Sequence, residues 1–149
     1  GHGLPVATGV ALADKINKIK KKTFVLLSDG ELDEGSNWES LLFSSHHKLN
    51  NLVVIIDYNK LQSIDFVKNT LNLEPLKQKF QSFGCKVVSV DGHNFKQLEK
   101  VLSSSSTKPL VIIANTIKGK GVSFMENSVL WHYKSLNSED YQNAMKIIK

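Results

Sequence analysis

The chain has 149 residues, of which 41% are hydrophobic, 22% charged and only 8% aromatic. By size it forms a single domain, residues 1–149, that is large enough to bury most of a core. This composition excludes the fibrous, disordered and membrane classes, and no run approaches the roughly 18 apolar residues that a membrane span needs. The single cysteine, Cys85, cannot form an internal disulfide and is compatible with a reducing environment. We therefore expect a cytoplasmic protein without a membrane partner.

The basic residues give the chain a formal net charge of +5. Their densest run, residues 15–22, follows a predicted helix and is most simply the solvated end of that helix, where cations are favourable. The run has no interleaved aromatic residues and matches no nucleic-acid-binding motif. We expect no nucleic-acid partner.

Apolar runs alternate with amphipathic segments along most of the chain. We predict helices at residues 5–20, 36–47, 75–83 and 94–103, and strands at residues 24–28, 52–58, 86–91 and 110–115. Such alternation is typical of an α/β fold in which helices cover both faces of a parallel sheet. Residues 116–137 show no periodicity, and long irregular segments of compact domains are often functional.

Several local patterns lead to structural predictions. Ser36-Asn37-Trp38-Glu39 indicates a capping box, with Ser36 as the N-cap and Glu39 at the third helical position. We expect two apolar stripes at helical spacing to pack in the core. They are Phe95, Leu98 and Leu102, and Tyr141, Met145 and Ile148.

The histidines outside the irregular segment do not indicate a metal site. His46 and His47 are adjacent late in a predicted helix, where neighbouring side chains point in different directions. We interpret the pair as a favourable charge at a helix end. His93 follows Asp91-Gly92 after a strand, and we interpret it as a turn residue.

Two polar side chains follow neighbouring buried strands of the predicted sheet. Asp29 comes after the apolar run at residues 24–27, and Asn59 comes after the run at residues 52–56. Ligands of open α/β sheets gather at the carboxyl ends of the strands, so these side chains should face one point. A carboxylate, an amide oxygen and a nearby carbonyl suit Mg²⁺ or Ca²⁺, and Mg²⁺ is usually shared with substrate phosphates. An ordinary pair of turns explains Asp29 and Asn59 equally well on spacing alone.

A family resemblance begins at these residues. The sequence Ser28-Asp29-Gly30-Glu31-Leu32-Asp33-Glu34-Gly35-Ser36-Asn37-Trp38-Glu39, followed by Leu49-Asn50-Asn51-Leu52 and Asp57-Tyr58-Asn59, resembles the thiamine diphosphate motif of transketolases. Residues 1–11 resemble the glycine-rich segment upstream of that motif. Residues 116–121 and Trp131-His132 resemble the segment downstream, so four matches occur in family order.

The resemblance implies a thiamine diphosphate-binding fold and a metal site. Asp29 and Asn59 would hold Mg²⁺ through their side chains, Leu61 would add its main-chain carbonyl, and Ca²⁺ could substitute. The resemblance also implies cofactor contacts. The Gly30 amide would meet a diphosphate oxygen, Leu61 and Ile117 would line the thiamine, and His132 would contact the diphosphate and act catalytically by helping to move protons.

The family also implies partners and a reaction. Transketolases transfer a two-carbon ketol unit from a ketose to an aldose phosphate, with sugar phosphates as substrates. Glu34 and Glu39 match carboxylates at the dimer interface, so we expect a homodimer or a split-subunit enzyme. The glutamate that activates the cofactor comes from the pyrimidine-binding domain of a partner chain. Because the chain opens at Gly1 inside a matched motif, we expect the later part of an incomplete cofactor domain, inactive alone.

Departures from the family pattern leave alternatives open. The family usually has glycine in place of Ser28, and it commonly has Gly-Lys-Ala-Pro where Tyr133-Lys134-Ser135-Leu136 follows His132. Lys118 and Lys120 resemble deoxyxylulose-phosphate synthases as much as transketolases. A synthase of that type, a 2-oxoacid dehydrogenase, or a noncatalytic α/β association module are the rival hypotheses.

Overall fold

The computed structural model describes residues 1–148 and contains one four-stranded sheet. The strands are β1 (Thr23–Ser28), β2 (Leu52–Tyr58), β3 (Lys86–Asp91) and β4 (Leu110–Asn115). Their order across the sheet is β1-β2-β4-β3, and every neighbouring pair is parallel. The predicted parallel α/β fold is therefore confirmed.

Helices precede, connect and follow the strands. They are α1 (Gly3–Ile16), α2 (Gly35–His46), α3 (Val67–Thr70), α4 (Leu76–Ser82), α5 (Phe95–Ser103) and α6 (Ser138–Ile147), with 3₁₀ turns at Gly30–Asp33 and Val129–His132. The prediction that the first helix reaches residue 20 is wrong. The helix ends at Ile16, because Lys18 takes a φ of +57° that an α-helix cannot contain.

Apolar side chains cover both faces of the sheet. On one face, Leu4 of α1, Leu41 of α2 and Phe80 of α4 are fully buried in one cluster with strand residues such as Val54 and Ile56. On the other face, Val101 of α5 packs with residues that alternate with the first set, among them Val53, Leu110 and Ile112. Each fully buried aliphatic or aromatic side chain contributes about 1.5–3 kcal/mol relative to exposure.

Trp38 holds the start of α2 against the core. Its indole N–H donates to the Leu32 carbonyl (2.8 Å), and its ring stacks on Phe80 with ring centroids 5.3 Å apart. The predicted capping box is wrong. α2 begins at Gly35, and the Ser36 hydroxyl donates to the Gly1 carbonyl (2.8 Å), which is a distant contact in the sequence.

The two predicted core stripes are only partly buried. Leu98 and Leu102 pack against the core, but Phe95 is 84% exposed because it is the first residue of α5 and only the later turns contact the sheet. In α6 the buried residue is Ala144. The larger side chains on that stripe are exposed, namely Tyr141, Met145 and Ile148.

The parallel arrangement brings four strand ends to one edge of the sheet. Ser28 pairs with Asp57, Asp57 with Ala114, and Asp91 with Asn115. Polar loops after β1, β2, β3 and β4 therefore meet at this edge. Within residues 1–148, no helix is long and apolar enough to cross a membrane.

Candidate cofactor site

A cavity of about 570 Å³ lies where the loops after β1 and β2 meet. Its lining includes five of the six residues to which the family resemblance gives a metal-binding or cofactor-binding role. They are Asp29, Gly30, Asn59, Leu61 and His132. Ile117 is not among the lining residues, but the next residue, Lys118, is.

Asp29 is a buried carboxylate directly after β1. The residue is only 1% exposed, and one of its carboxylate oxygens accepts the backbone N–H of Lys60 (2.7 Å). Burial raises the pKa of Asp29 to about 6, although hydrogen bonds from the Lys60 and Gly30 amides oppose this rise. In the part of the chain that the structure describes, no ion pair neutralises this carboxylate. A bound cation would supply the missing charge.

Asn59 lies in a closed turn directly after β2. Its Oδ1 accepts the N–H of Leu61 (3.0 Å), and its Nδ2 donates to an Asp57 carboxylate oxygen (3.4 Å). Lys60 takes a φ of +66°, which a residue other than glycine rarely adopts, and its N–H points to Asp29. Further along the turn, Leu61 and Phe66 form an isolated antiparallel β-bridge. The turn therefore holds the predicted metal ligands of two strands together.

The charge of the cavity bears on which ligand it can accept. Its lining carries five carboxylates against the side chains of Lys118 and His132. They are Asp29, Glu31, Asp33, Glu34 and Asp57. A diphosphate would be repelled here unless a cation bound with it.

The donor set suits a cation that a ligand helps to coordinate. Among residues 1–148, no group of three histidine, cysteine, aspartate or glutamate side chains could hold a metal alone. Mg²⁺ usually takes one or two carboxylates and completes its shell with water and phosphate oxygens. Two buried side-chain atoms of the lining also lack a hydrogen-bond partner among residues 1–148, namely Asp33 Oδ1 and Gln62 Nε2. Unsatisfied polar atoms of this kind are expected where a ligand binds.

His132 reaches the cavity from a braced loop. It is exposed and ends the 3₁₀ turn Val129–His132. The neighbouring Trp131 donates its indole N–H to the Phe124 carbonyl (3.0 Å), and the Lys134 ammonium lies 4.4 Å from the Trp131 ring centroid. The Tyr133 hydroxyl donates to the Ser63 carbonyl in the turn after Asn59. The departure from the family pattern at Tyr133 thus links the His132 loop to the metal-side turn.

A second groove, of about 630 Å³, lies at the opposite edge of the sheet and is lined by five lysines of residues 15–22. Two of these lysines donate hydrogen bonds to backbone carbonyls elsewhere in the fold. The Lys15 ammonium donates to the His47 and Lys48 carbonyls (both 2.7 Å), and that of Lys22 to the Leu102 and Ser104 carbonyls (2.9 and 2.7 Å). Two lysines of the basic run therefore have a structural role.

Some lining residues were not assigned a role from the sequence. Gln62, Ser63, Ile64 and Thr70 reach the cavity because the turn after Asn59 folds back, which no local motif shows. Lys118 lies inside the matched segment at residues 116–121, and that match was the signal that could have identified it. His46 is the last residue of α2, and His47 follows it.

Comparisons with known proteins cover nearly the whole chain. The family model for "Transketolase, thiamine diphosphate binding domain" matches residues 1–148. An apulose-4-phosphate transketolase subunit of Actinobacillus succinogenes is 44% identical over 151 aligned positions, which cover all of this chain and 55% of that protein. Human transketolase is 38% identical over 137 positions, covering 91% of this chain and 22% of its own length.

A solved structure gives the same result. Transketolase from Campylobacter jejuni matches with a TM-score of 0.92 at 33% identity, and the match covers 98% of this chain and 24% of that one. The chain thus spans about half of the Actinobacillus relative and about a quarter or less of the two longer proteins. On these matches, the chain belongs to the transketolase family, in the part described as its thiamine diphosphate-binding domain.

Proposed function

We propose that this chain forms part of the diphosphate-binding domain of a Mg²⁺-dependent transketolase. The observation that carries the proposal is the meeting of Asp29, Asn59, Leu61 and His132 around one cavity in a chain of this family. When bound, thiamine diphosphate supplies the nucleophilic carbon and the electron sink for transfer of a two-carbon ketol unit from a ketose to an aldose phosphate.

The metal side of the cavity would be formed by three oxygens. The side chains of Asp29 and Asn59 and the carbonyl of Leu61 would hold Mg²⁺, and Ca²⁺ could replace it because both cations prefer oxygen ligands. This assignment is supported by the buried, uncompensated charge of Asp29 and by the turn that brings Lys60 N–H within 2.7 Å of its carboxylate.

The other residues of the cavity would bind and orient the cofactor. The Gly30 amide and the Lys118 ammonium are donors suited to diphosphate oxygens. The unpaired Nε2 of Gln62 offers a further donor. Leu61 and Ile117 would contact the thiamine, and His132 would hold or move a proton beside the reacting carbon, as imidazoles do near neutral pH.

The proposal includes a second polypeptide. The Actinobacillus relative is itself named as one subunit of a transketolase, and this chain spans about half of it. That name favours a split-subunit enzyme, with a homodimer as the alternative. The partner would contribute the pyrimidine-binding domain, and the substrates would be sugar phosphates. The single cysteine, Cys85, is free and buried, which is compatible with the cytoplasmic location that we propose.

Substrate profiling of the complete assembly tests the proposal. Ketol transfer should occur with a panel of ketose and aldose phosphates, should need both thiamine diphosphate and Mg²⁺, and should be lost in Asn59→Ala. Asn50→Ala is the matched control, because Asn50 is an exposed asparagine at the opposite edge of the sheet. Turnover of pyruvate or another 2-oxoacid, with no ketol transfer, would contradict the proposal.

A further inference from the structure

The loop after β3 contacts the segment that leaves β4. The Gly92 N–H donates to the Asn115 carbonyl (2.8 Å), and the backbone N–H of Ile117 donates to Nε2 of His93 (2.8 Å). His93 is therefore more than a turn residue. Its imidazole provides an acceptor for a backbone amide that lies beyond the last residue of β4.

Local hydrogen bonds fix the conformation of this loop. An Asp91 carboxylate oxygen accepts the N–H of His93 (2.9 Å), and the Asp91 carbonyl accepts the N–H of Asn94 (3.1 Å). The Asn94 side chain then caps α5 by accepting the N–H of Gln97 (3.1 Å), whose own side chain accepts the N–H of Asp91 (3.1 Å). The imidazole of His93 thus projects from a preorganised turn.

The loop approaches β4 so closely that only glycine fits at residue 92. A Cβ on Gly92 would lie 2.4 Å from the methyl carbon of Thr116 and 3.1 Å from the Asn115 carbonyl oxygen. In addition, the Asn115 amide donates to Ser89 Oγ (2.8 Å) and to the Val90 carbonyl (3.1 Å). Asn115 and Ile117 are therefore each hydrogen-bonded from the β3 side, and Thr116 between them lies close to Gly92.

The segment that His93 holds continues into the cofactor cavity. The Thr116 hydroxyl donates to one oxygen of Asp57, and the other oxygen of Asp57 accepts from the Asn59 amide (3.4 Å). Lys118, one residue past Ile117, lines the cavity. A shift of this segment would move Lys118 and Ile117 together, and through Thr116 it would reach the predicted metal ligand Asn59.

We infer that His93 is a positioning residue, which accepts the Ile117 N–H through Nε2 and so sets the segment of residues 116–118 against the bound thiamine diphosphate. This inference rests on the proposed function, because it assumes that the cavity holds that cofactor. The bond requires an imidazole that is unprotonated at Nε2 and carries its proton on Nδ1. His93 does not itself contact the cavity.

Two substitutions separate the acceptor from the bulk of the side chain. His93→Leu keeps a side chain of similar size but removes the acceptor. His93→Gln keeps a side-chain amide oxygen at about the reach of Nε2, and this oxygen can accept the Ile117 N–H. Because His93 is exposed, neither change should alter the core. His46→Leu, at an exposed histidine at the end of α2, is the matched control.

The experiment measures thiamine diphosphate binding by calorimetry at saturating Mg²⁺ in the intact protein, with thermal unfolding and hydrogen exchange of a peptide covering residues 115–120. We expect His93→Leu to weaken binding by about 10-fold or more, as lost outer-shell partners commonly do, and to speed exchange in that peptide. His93→Gln should restore both to within about threefold of the unsubstituted protein. All variants should unfold at similar temperatures.

The outcomes separate this inference from the proposed function. If the unsubstituted protein binds the cofactor and His93→Leu binds it equally well, the inference is overturned and the proposed function stands. An equal loss in His93→Gln, or an equal loss in His46→Leu, would also overturn it, because the acceptor would then not matter. If the unsubstituted protein shows no binding, both fail together.

Discussion

The carboxylate of Asp29 accepts the backbone N–H of Lys60 at 2.7 Å, so the residue that directly follows β1 is bonded to the turn that follows β2. These two residues are 31 positions apart, yet the bond places the turn that carries Asn59 and Leu61 over a buried negative charge. The same contact orders the turn, but the burial of the Asp29 charge lowers the stability of the folded protein. Two backbone amides compensate the Asp29 charge only partly, and its pKa is raised to about 6.

Asp29 should therefore lower the stability of the metal-free protein at neutral pH. Its pKa in the folded state lies above the ordinary value of about 4. The folded protein thus binds the proton more tightly than the unfolded chain does, and stability falls as pH rises from about 4 to about 6. In Asp29→Asn the charge is absent, so we expect the free energy of unfolding to rise by roughly 1–3 kcal/mol at pH 8.

The test is thermal unfolding of the metal-free protein between pH 4 and pH 8. The difference between Asp29→Asn and the unsubstituted protein should be largest above pH 6 and should shrink toward pH 4. Glu99→Gln, which removes an exposed charge from α5, is the control and should show no such trend. If the Asp29→Asn protein is less stable at every pH, the buried charge of Asp29 does not destabilise the metal-free protein.

Gln62 should contribute to cofactor binding and little to stability. It is only 7% exposed, lines the cavity and has no partner for its Nε2. Gln62→Met keeps the length of the side chain and removes the buried donor. We expect the unliganded protein to be equally stable or more stable, because an unsatisfied buried group costs about 1–3 kcal/mol. Thiamine diphosphate affinity should fall by about tenfold, since a hydrogen bond to a charged group contributes about 1.5–3 kcal/mol.

Calorimetry and thermal unfolding on one preparation check both parts of this prediction. Gln78→Met, on the exposed surface of α4, controls for the change of side-chain type. Unchanged cofactor affinity in Gln62→Met would show that the unpaired donor does not serve the ligand.

Phe80 should be essential to the fold. It is fully buried and stacks on Trp38, whose indole in turn holds the Leu32 carbonyl beside the cavity loop. Phe80→Ala should lower the free energy of unfolding by about 3–5 kcal/mol, through lost burial and the cavity left behind. Phe95→Ala removes the same ring from a position that is 84% exposed, and it should change stability by less than about 0.5 kcal/mol. Denaturant unfolding of both variants measures these changes. Equal losses of unfolding free energy would contradict the burial of Phe80 in the core.

The fold was largely predictable because parallel strands buried on both faces form continuous apolar runs. β2 and β4, in which most residues are buried, were predicted with the observed bounds, Leu52–Tyr58 and Leu110–Asn115, and so was the more exposed β3, Lys86–Asp91. Predictions failed where a contact between residues distant in the sequence, or the position of a helix relative to the sheet, determined the environment of a side chain. The Ser36 hydroxyl bonds to Gly1 instead of capping its own helix, and Phe95 lies on the turn of α5 that does not reach the sheet.

The candidate site was predictable only in its motif residues. Asp29 and Asn59 stand directly after strands, so spacing and resemblance together suggested them. Gln62 and His93 were not assigned site roles, because each depends on how a loop folds back. The bond between His93 and Ile117 spans 24 positions and joins loops of two strands. No local pattern records such a contact.

Titration of thiamine diphosphate into the intact protein, with and without Mg²⁺, tests the central claim most directly. We predict binding that requires Mg²⁺ and that disappears in both Asp29→Ala and Asn59→Ala, while Asn50→Ala binds as the unsubstituted protein does. If the intact protein does not bind the cofactor, or if both variants retain Mg²⁺-dependent binding, the cavity formed by the loops after β1 and β2 is not the cofactor site.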